Sequence, residues 1–338
     1  MGAEASRIRF QASRCADLPS QRAALEAVLG SATGVELSPG WFRAEANHGT
    51  PWIFQVSAND RPSDIAAGVL FRGRIKRGLH VVLPAKPVHR DFLFAKLDRF
   101  ARARLVSRMA IESMGIEESV IPDREGELKR IRETNFVIDL ASGDPLPSFS
   151  KNHRRNVRKA EQNGVAVISL PATPAVETHL ALVQASLDRR TDRGETVILT
   201  SREQATRDLV ARGAAALWQV GVEGRVLSSY LISRIGDAGF YLSGGTSPEG
   251  MQIGSSQFLM YTVIRELAET GCKTLCLGYP NEPALARFKA GFGSRPVPVE
   301  RVEALLRLPG EAAVQRIRSW RNPPQPAPAA ARPSIERR

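Results

Sequence analysis

Residues 238–293 read "AGFYLSGGTSPEGMQIGSSQFLMYTVIRELAETGCKTLCLGYPNEPALARFKAGFG". "AGFYLSGG" has the pattern of a strand and "TSPEGMQIGSS" that of a loop. "SQFLMYTVIRELAET" is a periodic helix that Gly271 ends. "KTLCLGYP" then reads as a second strand and "EPALARFKAGFG" as a closing helix. A helix that starts straight after a strand and loop offers unpaired N–H groups and positive dipole potential to an anion. In this start Gly254 lets the backbone approach closely, while Ser255 and Ser256 bring hydroxyl donors. The same residues also fit an ordinary Ser-capped helix after a Gly turn.

Upstream, "ALWQVGVEGRVLSSYLISRI" reads as two strands broken at "EGR". Helical segments surround "AVETHLALVQASLDRR" and "REQATRDLVARGAAA", and "VAVISL" precedes them as a strand. Before these comes "FSKNHRRNVRKAEQNG", residues 149–164. Lys151, Arg154, Arg155, Arg158 and Lys159 are spaced i, i+3, i+4, i+7, i+8, which puts all five on one helical stripe. Ser148 or Ser150 can cap this helix and Gly164 can stop it. Asn152, His153, Asn156, Val157 and Ala160 form the opposite, packing face. Like charges at i,i+4 cost about 0.2–0.5 kcal/mol per pair, so something must offset the stripe. It is either a solvated face or the wall of a groove that holds a polyanion.

The first part of the chain has a comparable rhythm. "RIRFQAS", "WIFQVSA" and "IAAGVLFRGRI" read as strands, with "NDRPSD" as a turn, and "SQRAALEAVLG" and "GWFRAEA" as helical pieces. "LFAKLDRFARARLVSRMA" reads as one amphipathic helix with Leu93, Leu97, Phe100 and Leu105 on one side. "SVIPD" and "NFVIDL" read as short strands, and "ASGDPLPS" (141–148) has the composition of a linker. The expected fold class is therefore α/β with a mixed sheet, in two tandem units of similar length. Their expected bounds are 1–140 and 141–316, followed by a disordered Pro/Ala-rich tail at 317–338.

The 338 residues are 43% hydrophobic and carry a formal net charge of +12, enough apolar content for two ordinary domains and a field that favours anionic partners. Three cysteines give no disulfide framework and suggest a reducing, cytoplasmic setting. Cys272 and Cys276 have no nearby His or Cys to complete a zinc site and read as small buried hydrophobes, so no metal is expected. No apolar run approaches a membrane span, and the start lacks the apolar region of a signal peptide.

Together these pieces resemble the GNAT acyltransferase superfamily, and within it the tandem branch of Fem-type aminoacyltransferases and related bacterial N-acyltransferases. Three stretches carry the resemblance: "SFSKNHRRNVRKAEQNGV", the loop and helix from Met251, and "LGYPNEPALARFKAGFG". It covers about Pro145–Val302, while the first half, a degenerate unit with a possible acceptor-binding role, matches in element order only. The resemblance implies an amine attacking an activated acyl carbon, with acetyl-CoA or another acyl-CoA as co-substrate and an amine of a sugar, lipid or envelope precursor as acceptor. In the Fem-type alternative aminoacyl-tRNA is the donor, although no long heptad segment for a tRNA-binding coiled coil is visible. A non-catalytic RNA- or anion-binding module is a third reading, opposed by 6% aromatic content scattered away from the stripe.

The resemblance also implies residue roles. Met251, Gly254 and Ser256 stand where the family's pyrophosphate loop prefers Gln or Arg, then Gly, then Gly or Ala. Asn281 and Ala284 match the family's closing helix, but Phe288 replaces the tyrosine that protonates the leaving group. Either Tyr279 takes that part or the reaction manages without a tyrosine acid. Backbone N–H groups around Ser228–Leu231 are expected as oxyanion donors. Asp188 is a candidate base, or else is ion-paired with Arg189 and Arg190. Lys151, Arg154, Arg155, Arg158, Arg189 and Tyr241 are expected to bind substrate, and Gly254, Ser255, Ser256, Asn281 and Phe288 to bind the cofactor.

Overall fold

The computed structural model describes residues 8–29, 49–72, 77–116, 118–140, 143–194, 203–235, 237–280 and 282–306. The first half contains β1 (Ile8–Arg14), α1 (Leu18–Leu29), β2 (Thr50–Ala58), β3 (Arg61–Arg72), β4 (Arg77–Leu83), α2 (Arg90–Ala103), β5 (Val106–Met114) and β6 (Glu127–Asp139). The second contains α3 (Lys151–Gln162), β7 (Ala166–Val167), α4 (Ala172–Asp192), α5 (Glu203–Ala211), β8 (Ala215–Val222), β9 (Arg225–Ile235) and β10 (Ala238–Thr246). It continues with α6 (Pro248–Ile253), α7 (Ser255–Glu269), β11 (Thr274–Gly278), α8 (Pro283–Ala290) and β12 (Arg295–Leu305). All strands join one mixed sheet in the order β1-β2-β3-β4-β5-β12-β6-β11-β10-β9-β8-β7. The α/β class and the tandem arrangement are both present.

The strand order is symmetric about its centre. β1 to β5 run inward from one edge and β7 to β11 from the other, each set in the same internal sequence. At the middle the halves exchange their last strands: β6 pairs with β11, and β12 pairs with β5. β6 and β12 also pair antiparallel with each other, from Val137 opposite Arg295 to Glu127 opposite Ala304.

Local chemistry explains where the elements differ from the sequence reading. The turn before β3 is only Asn59–Asp60, both at positive φ, so Pro62 and Ser63 belong to the strand. The expected helix over 93–110 ends at Ala103. Leu93, Leu97 and Phe100 are buried as expected, but Leu105 is exposed and left-handed at φ 55°, and from Val106 the chain runs as β5 beside β4. "SVIPD" forms no strand; Val120 and Ile121 are buried there against α2 without ladder pairing. Ser150, not Ser148, caps α3 by accepting from His153 N, and Gly164 stops it at φ 70°. "VAVISL" shortens to the two residues of β7. The segment "GWFRAEA" and the 317–338 tail lie outside the described residues.

Two apolar layers cover the sheet. One holds α1, whose Leu25 belongs to a continuous buried cluster with Val69, Val299, Val137 and Phe240 that runs beneath both halves. On the opposite face α2 packs on Leu79, Val81 and Val302, while α3, α7 and Phe292 pack on Ile138, Tyr230 and Leu275. Near the centre, fully buried Glu112 accepts from His80 Nε2 and from Arg301, both at 2.9 Å. Burial pushes its carboxyl up, but the hydrogen bond and charge of His80, with the charge of Arg301, outweigh this and bring it down to about 2. The folded protein thus favours the ionised form. That stabilisation is complete above the unfolded carboxyl's range near 4.5 and is lost as pH falls towards 2. Glu112→Gln is expected to lower Tm at pH 7 and to flatten its decline between pH 5 and pH 3. Parallel Tm–pH curves for parent and variant would disprove the coupling.

Candidate active site

The site begins with a difference between two pairs of parallel strands. β4 and β5 stay paired from Arg77 to Leu83. Their counterparts β10 and β11 pair only from Ala238 to Phe240, opposite Thr274 to Cys276. Beyond Phe240 the two strands part, β10 remaining paired with β9 and β11 with β6. A bulge between Tyr241 and Ser243 turns β10 at this point, and another lies between Cys276 and Gly278 on β11. The result is a wedge through the sheet in which the β11-facing edge of residues 242–245 has no strand partner among the described residues. The backbone edge left open in the wedge is therefore that of β10. The stretch Ser228–Leu231, where open N–H groups were expected, is on β9 and is paired on both sides.

At the open end of β11, Lys289 is almost fully buried and donates from Nζ to the carbonyls of Gly278 and Tyr279, both at 3.1 Å. Burial pulls its ammonium down to about 8. Next to it, burial pushes the Cys276 thiol up to about 11. Tyr279 is 40% exposed at the same end. Phe288 turns away from the wedge and packs on His153 and Phe292. Tyr241 and Tyr230 meet edge to face at 5.1 Å, and burial raises both phenols, so both remain protonated. Lys289 was not singled out in the sequence; an isolated Lys on a short helix carries no signal until its burial is known.

The loop of the expected phosphate site is wound into α6. Gly250 N donates to Ser247 Oγ, Met251 N to the Ser247 carbonyl, and Gly254 N to the Gly250 carbonyl. Ser255 is fully buried with its Oγ 2.6 Å from Ser228 Oγ. Tyr230 donates to the Ser256 carbonyl, and its hydroxyl also meets Ser256 Oγ at 2.6 Å. Gly254 sits at φ 81°, and a Cβ there would lie 2.4 Å from the carbonyl oxygen of Asn156 in α3. That neighbour presents a partial negative charge, which disfavours a phosphate at this point. Met251 is exposed beside it.

α3 is held over α7 and α8. His153 donates from Nε2 to the Phe288 carbonyl at 2.9 Å, and its ring meets Phe292 edge to face with centroids 4.4 Å apart. The cationic stripe faces outward. Arg154 folds back onto the carbonyls of Phe149 and Pro147, Arg155 reaches Asn152, and Lys151, Arg158 and Lys159 are exposed. Among the described residues no carboxylate pairs with any of the five.

Across the sheet, α4 lies along β10. A Cβ at Gly245 would come within 2.3 Å of the α4 backbone at Leu182, which shows how tightly the two are pressed together. Arg189 reaches over the end of β10 to donate to the Thr246 carbonyl at 2.6 Å. Asp188 is exposed and accepts from Gln184 at 2.7 Å, not from a neighbouring arginine. One turn into the same contact, fully buried His179 bridges Ser229 Oγ and Ser243 Oγ, each at 2.9 Å. Burial alone brings its imidazole down to about 4. His179 was also not anticipated, since its partners lie 50 and 64 positions away. The expected residues thus divide between the faces: Asp188 and Arg189 with α4, and Gly254, Ser255, Ser256, Phe288, Tyr241 and the stripe with α3 and α7. Asn281 lies outside the described residues.

Residues 147–290 match the sequence profile of the acetyltransferase (GNAT) domain family. That segment is a GNAT domain. The whole chain has the fold of FemX, with a TM-score of 0.61 at 15% identity over 90% of this chain and 99% of that one. A conserved protein of unknown function from Bacteroides thetaiotaomicron VPI-5482 aligns with a TM-score of 0.53 at 11% identity, over 88% and 100% of the two chains. No curated protein sequence matches. Among the described residues no helix is long and apolar enough to cross a membrane.

The seating of α3 is testable at two glycines. A Cβ at Gly291 would meet the His153 ring at 2.5 Å, and one at Gly254 would meet the Asn156 carbonyl while straining a left-handed backbone. Gly291→Ala and Gly254→Ala are each expected to cost about 1–3 kcal/mol, read as a lowered Tm in calorimetry. Gly164→Ala, at positive φ in open space, should cost only the backbone term of roughly 1–2 kcal/mol. A Gly254→Ala protein that melts with the parent would remove α3 from this position.

Proposed function

We propose that the protein is an N-acyltransferase that uses the wedge between β10 and β11 to pass an acyl group from an activated carrier to a primary amine. One observation carries this reading: the wedge joins a strand edge without a partner to a buried ammonium at its mouth. The neutral amine nitrogen attacks the acyl carbon, the C–N bond forms, the bond to the carrier's oxygen or sulfur breaks, and the proton shed by the nitrogen passes to solvent, from which the group that protonates the carrier is recharged. Backbone N–H groups of β10 supply positive potential to the carbonyl oxygen. Lys289, in place of a tyrosine, supplies the proton or charge at the departing atom. In this reading residues 141–316 carry the chemistry and residues 1–140, whose β4 and β5 do not part, help to bind the acceptor. A sugar, lipid or envelope-precursor amine remains the acceptor class to test.

For the donor, the geometry favours an aminoacyl ester on tRNA over an acyl-CoA. The N–H groups of Gly250, Met251 and Gly254 are used within α6, the Asn156 carbonyl borders Gly254, and the stripe on α3 offers cations without a carboxylate partner among the described residues to a large polyanion. A departing alkoxide also needs an ammonium more than a thiolate does. The acyl-CoA reading keeps one argument, the family position of Gly254 ahead of α7. Two assays on the purified chain with a panel of amines decide between them: thiol release from acetyl-CoA, and transfer of labelled amino acid from charged tRNA. Amide formation with the second donor alone is the expected result. Turnover with neither, despite tight tRNA binding, would leave only the RNA-binding reading.

Two variants test the residues. Lys289→Met should lower kcat about 10²-fold or more with KM little changed. In the parent kcat should fall as pH rises through about 8, where the buried ammonium deprotonates. Replacing Arg154, Arg155 and Arg158 by Gln should leave Tm unchanged or raised, because repulsion is relieved, while weakening tRNA binding and flattening its salt dependence. Unaltered KM at two salt concentrations would show the stripe to be surface only.

A further inference from the structure

The hydrogen bonds behind β10 have a direction, and it can be read from one end. Gln219 Nε2 donates to the carbonyl of Ala175 at 2.9 Å, which a carbonyl can only accept, so the orientation of this buried amide is fixed. The second Nε2 proton goes to Ser229 Oγ at 3.1 Å. Ser229 is fully buried, and its own proton has one remaining partner among the described residues, His179 Nδ1 at 2.9 Å. With Nδ1 accepting, the neutral imidazole carries its proton on Nε2 and donates it to Ser243 Oγ at 2.9 Å. The Ser243 proton is then the end of the chain. Ser243 is only half-buried, it adjoins the bulge where β10 leaves β11, and among the described residues its hydroxyl has no acceptor.

We infer that Ser243 is a catalytic residue, its hydroxyl held as a hydrogen-bond donor to the oxyanion of the acyl-transfer intermediate, and that Gln219, Ser229 and His179 are positioning residues that impose this sense. The inference rests on the acyl-transfer reading of the wedge. When the amine attacks, the carbonyl π pair moves to oxygen, and the Ser243 O–H bonds to that oxygen without giving up its proton. The oxygen's charge is released when the carbonyl re-forms and the carrier departs. An ordinary serine hydroxyl turns freely between donating and accepting. Here the His179 N–H holds one lone pair of the oxygen in place, and the hydroxyl proton, with no acceptor among the described residues, is free to turn to the oxyanion with little reorganisation. The imidazole stays neutral at neutral pH, which keeps a single N–H in the chain. Its helix carries Glu177, Asp188 and Arg189, α5 carries Arg207 and Asp208, and β9 carries Arg225, yet burial is the sole cause of the His179 shift.

The direction of the chain is tested without any substrate. Nitrogen-15 NMR of the histidine-labelled full chain, assigned by the signals lost in His179→Gln, should show His179 as the neutral Nε2–H form at pH 7. An Nδ1–H form would reverse the chain and overturn the inference. Activity tests the role. Ser243→Ala should lower kcat about 10²–10³-fold with KM within a few-fold of the parent, and Ser243→Thr, which keeps the hydroxyl, should recover much of the loss. Gln219→Leu frees Ser229 to turn either way, and should mix the His179 tautomers and lower kcat together. A Ser243→Ala enzyme with parental kcat refutes the oxyanion role even if the tautomer is as expected. Absence of turnover with both acetyl-CoA and charged tRNA overturns the role along with the functional reading, while the NMR result still reports on the direction of the chain.

Discussion

The antiparallel pairing of β6 with β12 is the contact on which the rest of the molecule depends. It closes two half-sheets into one and does so by exchange, each half giving up its last strand to the other. It also makes the wedge affordable. β11 can lose β10 beyond Phe240 because its other edge stays bonded to β6, which is itself backed by β12. A strand parted from its neighbour without such backing would fray. The wedge is therefore a local absence of pairing held open by pairing on either side.

The first half shows the same plan used differently. β4 and β5 remain bonded along their length, and the polar trio of His80, Glu112 and Arg301 fills the space beside them. Arg301 comes from β12, so a residue of the second half neutralises a carboxylate of the first. The exchange thus carries charge as well as backbone across the seam. Only one of the two related strand pairs opens, which fits one reaction centre for a chain of two similar units.

Much of the second half was legible because its signals are local. Ser150, the i, i+3, i+4 cations and Gly164 define α3 within sixteen positions, and the resemblance of its neighbours to GNAT sequences places it in a fold. β5 was hidden because "LVSRMA" continues the apolar rhythm of α2; what ends the helix is a left-handed Leu105, which no propensity favours. β12 escaped notice for a better reason. Pro296 and Pro298 argue against a central strand, yet β5 pairs with β12 only from Val299 onward; Pro296 lies beyond that ladder, and Pro298 meets it only through its carbonyl, which accepts from Gly115 N. The open strand edge was expected one strand away, on β9, since pairing partners cannot be read from single strands. His179, Ser243 and Gln219 are silent for a related cause: their meaning lies in contacts between distant positions, and each alone is an ordinary polar residue.

The exchange of strands has a consequence for how the chain is made. β5 leaves the ribosome with β4 on one side and nothing on the other, because its second neighbour is β12, some 190 positions later. Until residues 295–305 have been synthesised, the first half displays a bare strand edge with buried-type residues such as Met109 and Ile111 beside it. β6 must wait similarly for β11 and β12. The nascent protein therefore cannot complete its first unit before starting its second, and the last strand out is the one that closes the sheet. Vulnerability to mispairing with another chain should be concentrated in that interval and disappear when β12 docks.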